Sequence, residues 1–230
     1  MKYKYLSVGS DAKTVKGEKK GYLTGILYLA PAQEAGGKTL CPFSTPSCRD
    51  VCLFTAGRGA MSNVRDARIR KTKEFLSNPR AFTEALTKDI EVLVKEAAAK
   101  KMTPAVRLNG TTDVKWENYG IISKFPDLQF YDYTKWPPNL RECLPKNYHI
   151  TFSHSESALS EERSAEWFNR SVNTAVVFRG ALPKTYLGKP VINGDDSDLR
   201  FTDPVGVIVG LKVKGKARKE DAGKGFVVIV

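Results

Sequence analysis

The chain has 230 residues, 41% hydrophobic and 10% aromatic, which is ordinary for a soluble globular protein and long enough for one well-buried domain. Its 37 lysines and arginines against 25 aspartates and glutamates give a formal charge of +12, a field that attracts polyanions, nucleic acid first among them. No stretch approaches the roughly 20 apolar residues of a membrane span, no signal sequence follows the basic N-terminus, and four cysteines are too few for a disulfide scaffold, so a reducing cytoplasm and no membrane partner are expected.

In chain order, residues 21–32 mix aromatic and aliphatic side chains and read as a strand or strand pair, followed by a cysteine-containing loop at 39–59. A helix is predicted next, capped by Ser62 or Asn63, with Val64, Ala67, Ile69 and Phe75 as a partial apolar stripe and Pro79 at its end. Residues 80–101 give a clearer helix, with Phe82, Leu86, Ile90, Leu93, Val94 and Ala97 at three- and four-residue spacing. Strands are then predicted at 104–110, 128–134, 148–154 and 174–180, and helices at 115–125 and 160–170. The tail at 190–230 adds two or three strands and no helix. Strands alternating with helices indicate parallel β/α units, so the expected fold is α/β: one domain over 1–230, incomplete TIM-barrel-like, with a β-rich C-terminal tail.

In parallel sheets ligands sit beyond the carboxyl ends of the strands. That rule selects Arg107, Asn109, Thr112 and Asp113 after one strand, Asp132, Thr134 and Lys135 after the next, then Ser153, His154 and Glu156, and finally Arg179. Each is also normal turn chemistry, but polar residues after four separate strands favour a shared pocket. Asp113, Asp132 and His154 are the expected proton-transfer groups, and Arg107, Asn109, Thr112 and Lys135 the expected cofactor or substrate contacts. His149 and His154 lie five apart on one strand and so on opposite faces; His154 is the candidate and His149 the structural residue.

Cys41, Cys48 and Cys52 stand in a C-x6-C-x3-C loop, far from Cys143. Thiols gathered in a short polar loop suit a soft metal better than core filling. A four-cysteine zinc site fits poorly because only one short hook is present, yet three thiolates with His149, His154 or Cys143 would complete a zinc tetrahedron. Alternatively, three cysteines hold a [4Fe-4S] cluster with one iron left open. By fold analogy, radical S-adenosylmethionine enzymes place their cluster just after the first strand, although their C-x3-C-x2-C spacing is absent.

Asp195, Asp196, Asp198 and Asp203, around Arg200, are either magnesium ligands for nuclease chemistry or a turn held by a salt bridge. Trp116, Tyr119, Tyr131, Tyr133 and Trp136, near Lys115 and Lys135, offer stacking surfaces for bases, with core packing the expectation for Tyr119 and Tyr131 and exposure for Trp136. Neither a G-x-x-x-x-G-K-[ST] cradle nor a strand-linked G-x-G-x-x-G occurs, which disfavours a nucleotide-hydrolysing motor or a dinucleotide dehydrogenase.

The segments LCPFSTPSCRDVCLFTAGRG, VRLNGTTDVKWE, FYDYTK and GDDSDLRFTDPVGVIVGLKVKGKARK, with the basic helix after the first, resemble the phage and mobile-element gene product 88 family. That family's cysteine loop looks like CP-x5-C-x3-C followed by an aromatic; here Leu53 takes the last place. The resemblance implies an intracellular protein in a phage or plasmid setting, hence the host cytoplasm, without supplying a reaction. Some relatives look like shortened radical S-adenosylmethionine barrels, but here NGTTD (109–113) stands where those enzymes carry GGE. The expectation is an iron-sulfur, S-adenosylmethionine-type enzyme modifying nucleic acid or nucleotides. The alternatives are a noncatalytic, zinc-stabilised DNA- or RNA-binding protein and a magnesium-dependent nuclease.

Overall fold

A computed structural model describes residues 2–9, 12–221 and 223–230. Its strands are β1 (Leu6–Val8), β2 (Tyr22–Leu27), β3 (Thr103–Arg107), β4 (Gln129–Thr134), β5 (Tyr148–Ser153), β6 (Thr174–Arg179), β7 (Thr185–Tyr186), β8 (Lys189–Asn193), β9 (Ile208–Lys212) and β10 (Val227–Ile229). Its helices are α1 (Ala12–Glu18), α2 (Pro46–Asp50), α3 (Ser62–Ser77), α4 (Pro79–Ala99) and α5 (Ser160–Asn169). The strands form one sheet in the order β1-β2-β3-β4-β5-β6-β9-β8-β7, parallel throughout except at the two edge pairs. The edges β1 and β7 do not pair with each other, so this mixed α/β sheet is not closed. β5 makes its last pair with β6 at Ser153 and Ala175; β10 then pairs with β6 from Val177 onward.

Alternation along the strands divides the molecule into two sides. Leu23, Leu27, Val106, Phe130, Ile150 and Phe152 pack with Phe82, Leu86, Ile90, Leu93 and Ala97 of α4 and Trp167 of α5. Each such buried side chain contributes about 1.5–3 kcal/mol, which makes α4 the main apolar support of the sheet. The intervening residues, among them Arg107, Tyr133, Ser153 and Val177, face the other side, where the cavities lie.

One crossover departs from the expected alternation. Residues 115–125 form only a 3-10 turn at Trp116–Tyr119, ended by Gly120 at φ 70, a conformation that stops a helix. The buried Trp116 packs against Phe75 with the ring centroids 5.1 Å apart and donates its ring N–H to Asn109, so the segment plugs the core instead of coiling. Between β4 and β5, Pro137 and Pro138 leave another 3-10 turn, at Pro138–Leu140. In α3 the cap position is Met61, not Ser62 or Asn63, and the fully buried side chains are Arg68, Thr72 and Phe75. That face is partly polar because it packs on the loop after β2: Arg68 sits 4.7 Å from the Tyr28 ring and Thr72 accepts the Ala30 N–H.

Two buried carboxylates pin the sheet. Asp89 of α4 accepts the backbone N–H groups of Lys4, Tyr5 and Leu6 at 2.9, 2.6 and 3.0 Å, fixing the start of β1. Asp132 of β4 accepts the Asn109 backbone and side-chain N–H groups at 2.7 and 3.3 Å and the Tyr148 hydroxyl at 2.8 Å, joining the carboxyl end of β3 to β4 and β5. Burial raises the Asp132 carboxyl to about 7, against the opposing pull of Arg107 and these hydrogen bonds.

Asp89→Ala strands three backbone donors and is expected to lower the unfolding free energy by about 3 kcal/mol, measured by urea denaturation. Asp132 holds its proton more tightly folded than unfolded, so its contribution is full below about pH 4 and is lost as pH rises toward about 7. Asp132→Asn is therefore expected to remove that downward slope of stability against pH; an unchanged slope would show that Asp132 is ionised throughout.

Candidate functional site

The cysteine loop is held from three directions. From below, the Asp113 N–H donates to the Leu40 carbonyl at 2.9 Å, tying the stem before Cys41 to the loop after β3. Cys48 lies in α2, where Pro46 opens the helix and Thr45 caps it by accepting the Cys48 N–H at 3.4 Å. Glu156, just past β5, accepts the Thr45 hydroxyl at 2.6 Å and the Ser47 N–H at 2.8 Å. Against the effect of burial, these bonds hold its carboxyl below the usual range.

From above, the C-terminal tail closes over the loop. Ser47 donates to the Lys224 carbonyl at 2.8 Å, and Val51 packs with Ala217 and Val227. A Cβ on Gly225 would lie 2.6 Å from Glu156 Cβ, so only glycine lets the tail approach this closely. Arg179 secures the tail by donating to the carbonyls of Ala217, Lys219 and Glu220.

Two connected cavities result. The first, about 200 Å³, is lined by Cys41, Cys48 and Cys52 together with Thr111, Thr112, Asp113, Tyr133, Thr134, Lys135 and Ser153. The second, about 300 Å³, shares Cys48, Cys52, Thr111, Thr112, Tyr133 and Ser153 and extends to Arg107, Asn109 and Asp198, with Lys13, Lys16, Lys212 and Lys214 also on its wall. Burial pushes the Cys41 thiol up to about 12 and Cys52 to about 11, and raises Cys48 against the pull of the Lys135 ammonium. Lys135 is itself lowered by burial; it donates to the Ser153 carbonyl and hydroxyl and the His154 carbonyl at 3.0, 2.8 and 3.1 Å. The Asp113 carboxylate accepts the Lys135 backbone N–H at 2.7 Å and lies 3.4 Å from Arg141; burial raises it. Arg107 Nη1 reaches both Asp198 oxygens at 3.0 Å while its guanidinium covers the Tyr133 ring at 4.7 Å.

The expected residues therefore separate. Cys41, Cys48, Cys52, Arg107, Asn109, Thr112, Asp113, Thr134, Lys135 and Ser153 line the cavities. Asn109 is occupied in doing so: its side-chain oxygen accepts Thr112, Val114 and Trp116 donors, so it shapes the loop. Asp132 lies behind the wall in the network described above. His154 also stands back, its ring edge-on to Tyr186 at 6.1 Å, and burial and Lys135 lower its pKa. Burial and Arg200 push His149 down to about 4.

The acidic segment is spent on cations and turns. Asp195 pairs with Lys214 at 2.5 Å, Asp198 with Arg107, and Asp203 with Arg200 at 3.3 Å, while Asp196 accepts from Asn193. Cys143 is exposed. Tyr119 is 41% exposed instead of core, and Trp136 packs on Phe43 with its ring N–H on the Asp113 carbonyl instead of standing free. Residues missed as site residues are Lys13 and Lys16 of the unpredicted α1, and Lys212, Lys214, Lys216 and Phe226 of the tail. The tail's basic run was visible, but only as charge.

Among the described residues, no group of three or more histidine, cysteine, aspartate or glutamate side chains is arranged to hold a metal ion as it stands. No described helix is long and apolar enough to cross a membrane. No curated protein and no solved structure matches the chain. A family model described as Gene product 88 matches residues 5–227, nearly the whole length that carries the sheet, the cysteine loop and the tail. The chain thus belongs to the gene product 88 family.

Proposed function

We propose that this protein is an iron-sulfur enzyme acting on nucleotides or nucleic acid, with its cluster on Cys41, Cys48 and Cys52 and S-adenosylmethionine as the expected partner of the open iron. The observation that carries the reading is the placement of all three cysteines on one cavity that opens into a larger one bearing lysines. The site also lies beyond the carboxyl ends of parallel strands, as in an incomplete β/α barrel.

The donor set suits a cluster: three cysteines and no histidine line the one cavity. A cluster offers its irons at separate corners, and a [4Fe-4S] cluster held by three cysteines would supply one-electron chemistry at the remaining iron. Burial disposes the Cys41 and Cys52 thiols to stay neutral near pH 7, so a bound cationic centre is what would make them thiolates. Lys135 places positive charge beside Cys48. Of the three expected acid/base residues, Asp113 alone meets the cavity, with a carboxyl that burial disposes to hold a proton. Asp132 acts from behind it by fixing the Asn109 loop, while His154 packs against Tyr186.

The zinc-stabilised binding protein stays as the second reading, because the loop's attachment to both sheet and tail would suit a structural metal equally. The nuclease reading loses support, since Asp195, Asp198 and Asp203 face cations of the chain itself.

Protein purified without oxygen is expected to contain iron and acid-labile sulfide with a broad brown absorbance. Serine at Cys41, Cys48 or Cys52 is expected to abolish it; normal iron in all three variants overturns the ligand assignment, and one equivalent of zinc without sulfide moves the assignment to the binding protein. Reconstitution is also expected to fail progressively as pH falls, because the thiols must lose their protons to bind iron, read as iron and acid-labile sulfide incorporated per chain.

A further inference from the structure

We infer that the second cavity is a nucleoside-phosphate site: it takes the phosphate on its lysines and the base on its apolar wall. That the bound group is the substrate rests on the proposed reactive centre at the cysteines; the binding itself does not.

Charge comes first. Five basic side chains, Lys13, Lys16, Arg107, Lys212 and Lys214, line this cavity against two acidic ones, Asp195 and Asp198. Both carboxylates are already engaged. Asp198 is taken by Arg107 and lies 3.8 Å from Lys13; Asp195 accepts the Lys212 N–H at 3.0 Å and the Lys214 ammonium. Lys16 donates to the Asp195 carbonyl. Asp195 thereby gathers three lysines of two distant segments while its single carboxylate compensates only Lys214, and the Lys212 ammonium has no partner among the described residues.

Shape and polarity come second. Val51, Leu53, Val177, Leu211 and Phe226 form the apolar part of the same cavity. Phe226 is half-buried, with Lys135 4.9 Å from its ring. An aromatic ring in an apolar wall, set near an excess of cations, is the combination that binds a base and a phosphate together. Charge also discriminates: an anionic nucleotide is favoured over its uncharged nucleoside.

The test is isothermal titration of the purified protein, its iron content recorded on the same sample, with the four ribonucleoside 5′-monophosphates, with adenosine, and with a 5′-phosphorylated single-stranded oligonucleotide. At least one phosphate-bearing probe is expected to bind below about 1 mM, and adenosine at least about tenfold more weakly than adenosine monophosphate. Comparable affinity for monophosphate and oligonucleotide assigns the site to free nucleotides; binding of the oligonucleotide alone assigns it to a strand terminus. Lys212→Gln combined with Lys214→Gln is expected to weaken binding about tenfold and flatten its salt dependence, and Phe226→Ala about fivefold or more. Equal affinity for adenosine and its monophosphate, or no phosphate-bearing probe bound below about 1 mM, overturns the inference. Absence of iron with nucleotide binding intact would sink the cluster and leave the phosphate site standing.

Discussion

Charge buried at one end of a parallel sheet is the constraint around which this molecule is arranged. Isolated ions cannot be moved out of water at tolerable cost, so each must be paired or hydrogen-bonded. Arg107 meets Asp198, Arg141 meets Asp113 and Glu117, and Arg200 meets Asp203. Every one of these pairs joins segments distant in sequence or locks a turn, and their geometry decides which surfaces are left to form a cavity. The Asn109–Asp132–Tyr148 network does the same work with fewer charges, and one of its members, Asp132, relieves the cost by holding a proton near neutrality.

The cysteine loop depends on that frame for its shape. A loop between β2 and α3 with only short 3-10 turns and one five-residue helix has too little hydrogen bonding of its own to hold three thiols in register. Its order comes from outside: Asp113 from the loop after β3, Glu156 from the end of β5, and the tail against Ser47 and Val51. The tail in turn is placed by β10, which extends the sheet where β5 stops, and by Arg179 at the end of β6. Thus a residue chosen from the sequence as a ligand contact proves to anchor the wall of the site.

Much of this was legible in the sequence because the relevant signals are local. α4 announces itself by apolar spacing, the strands β3 to β6 by short β-rich runs, and the strand-end rule found the polar lining that β3, β4 and β5 supply, from Arg107 to Ser153. What escaped depends on partners far along the chain. The stretch 115–125 has helical composition, but Trp116 gains more from Phe75 and Asn109 than from coiling. Asp132 and His154 sit at strand ends like their neighbours, yet pleating sends Asp132 into the Tyr148 network and away from the cavity. Helix α1 is seven residues long and mostly polar, too short for periodicity to register, so its lysines could not be assigned to a site.

The acidic segment shows why a cluster of like residues is weak evidence for metal chemistry. Four aspartates within nine positions would repel one another if they converged on one point, and a metal would have to compensate. Here they diverge. Asp195 turns toward the lysines of α1 and β9, Asp198 toward Arg107 inside the sheet, and Asp203 toward Arg200. Their charge is used to collect basic side chains from separate parts of the chain and hold them near the cavity. Because the two carboxylates there meet Arg107, Lys13 and Lys214 while Lys16 rests on a backbone carbonyl and Lys212 is held only by its backbone, the cavity keeps a positive excess instead of becoming a neutral salt cluster. The chain's overall basicity is therefore expressed at a specific place, next to the thiols, where an anionic group would be drawn in and oriented.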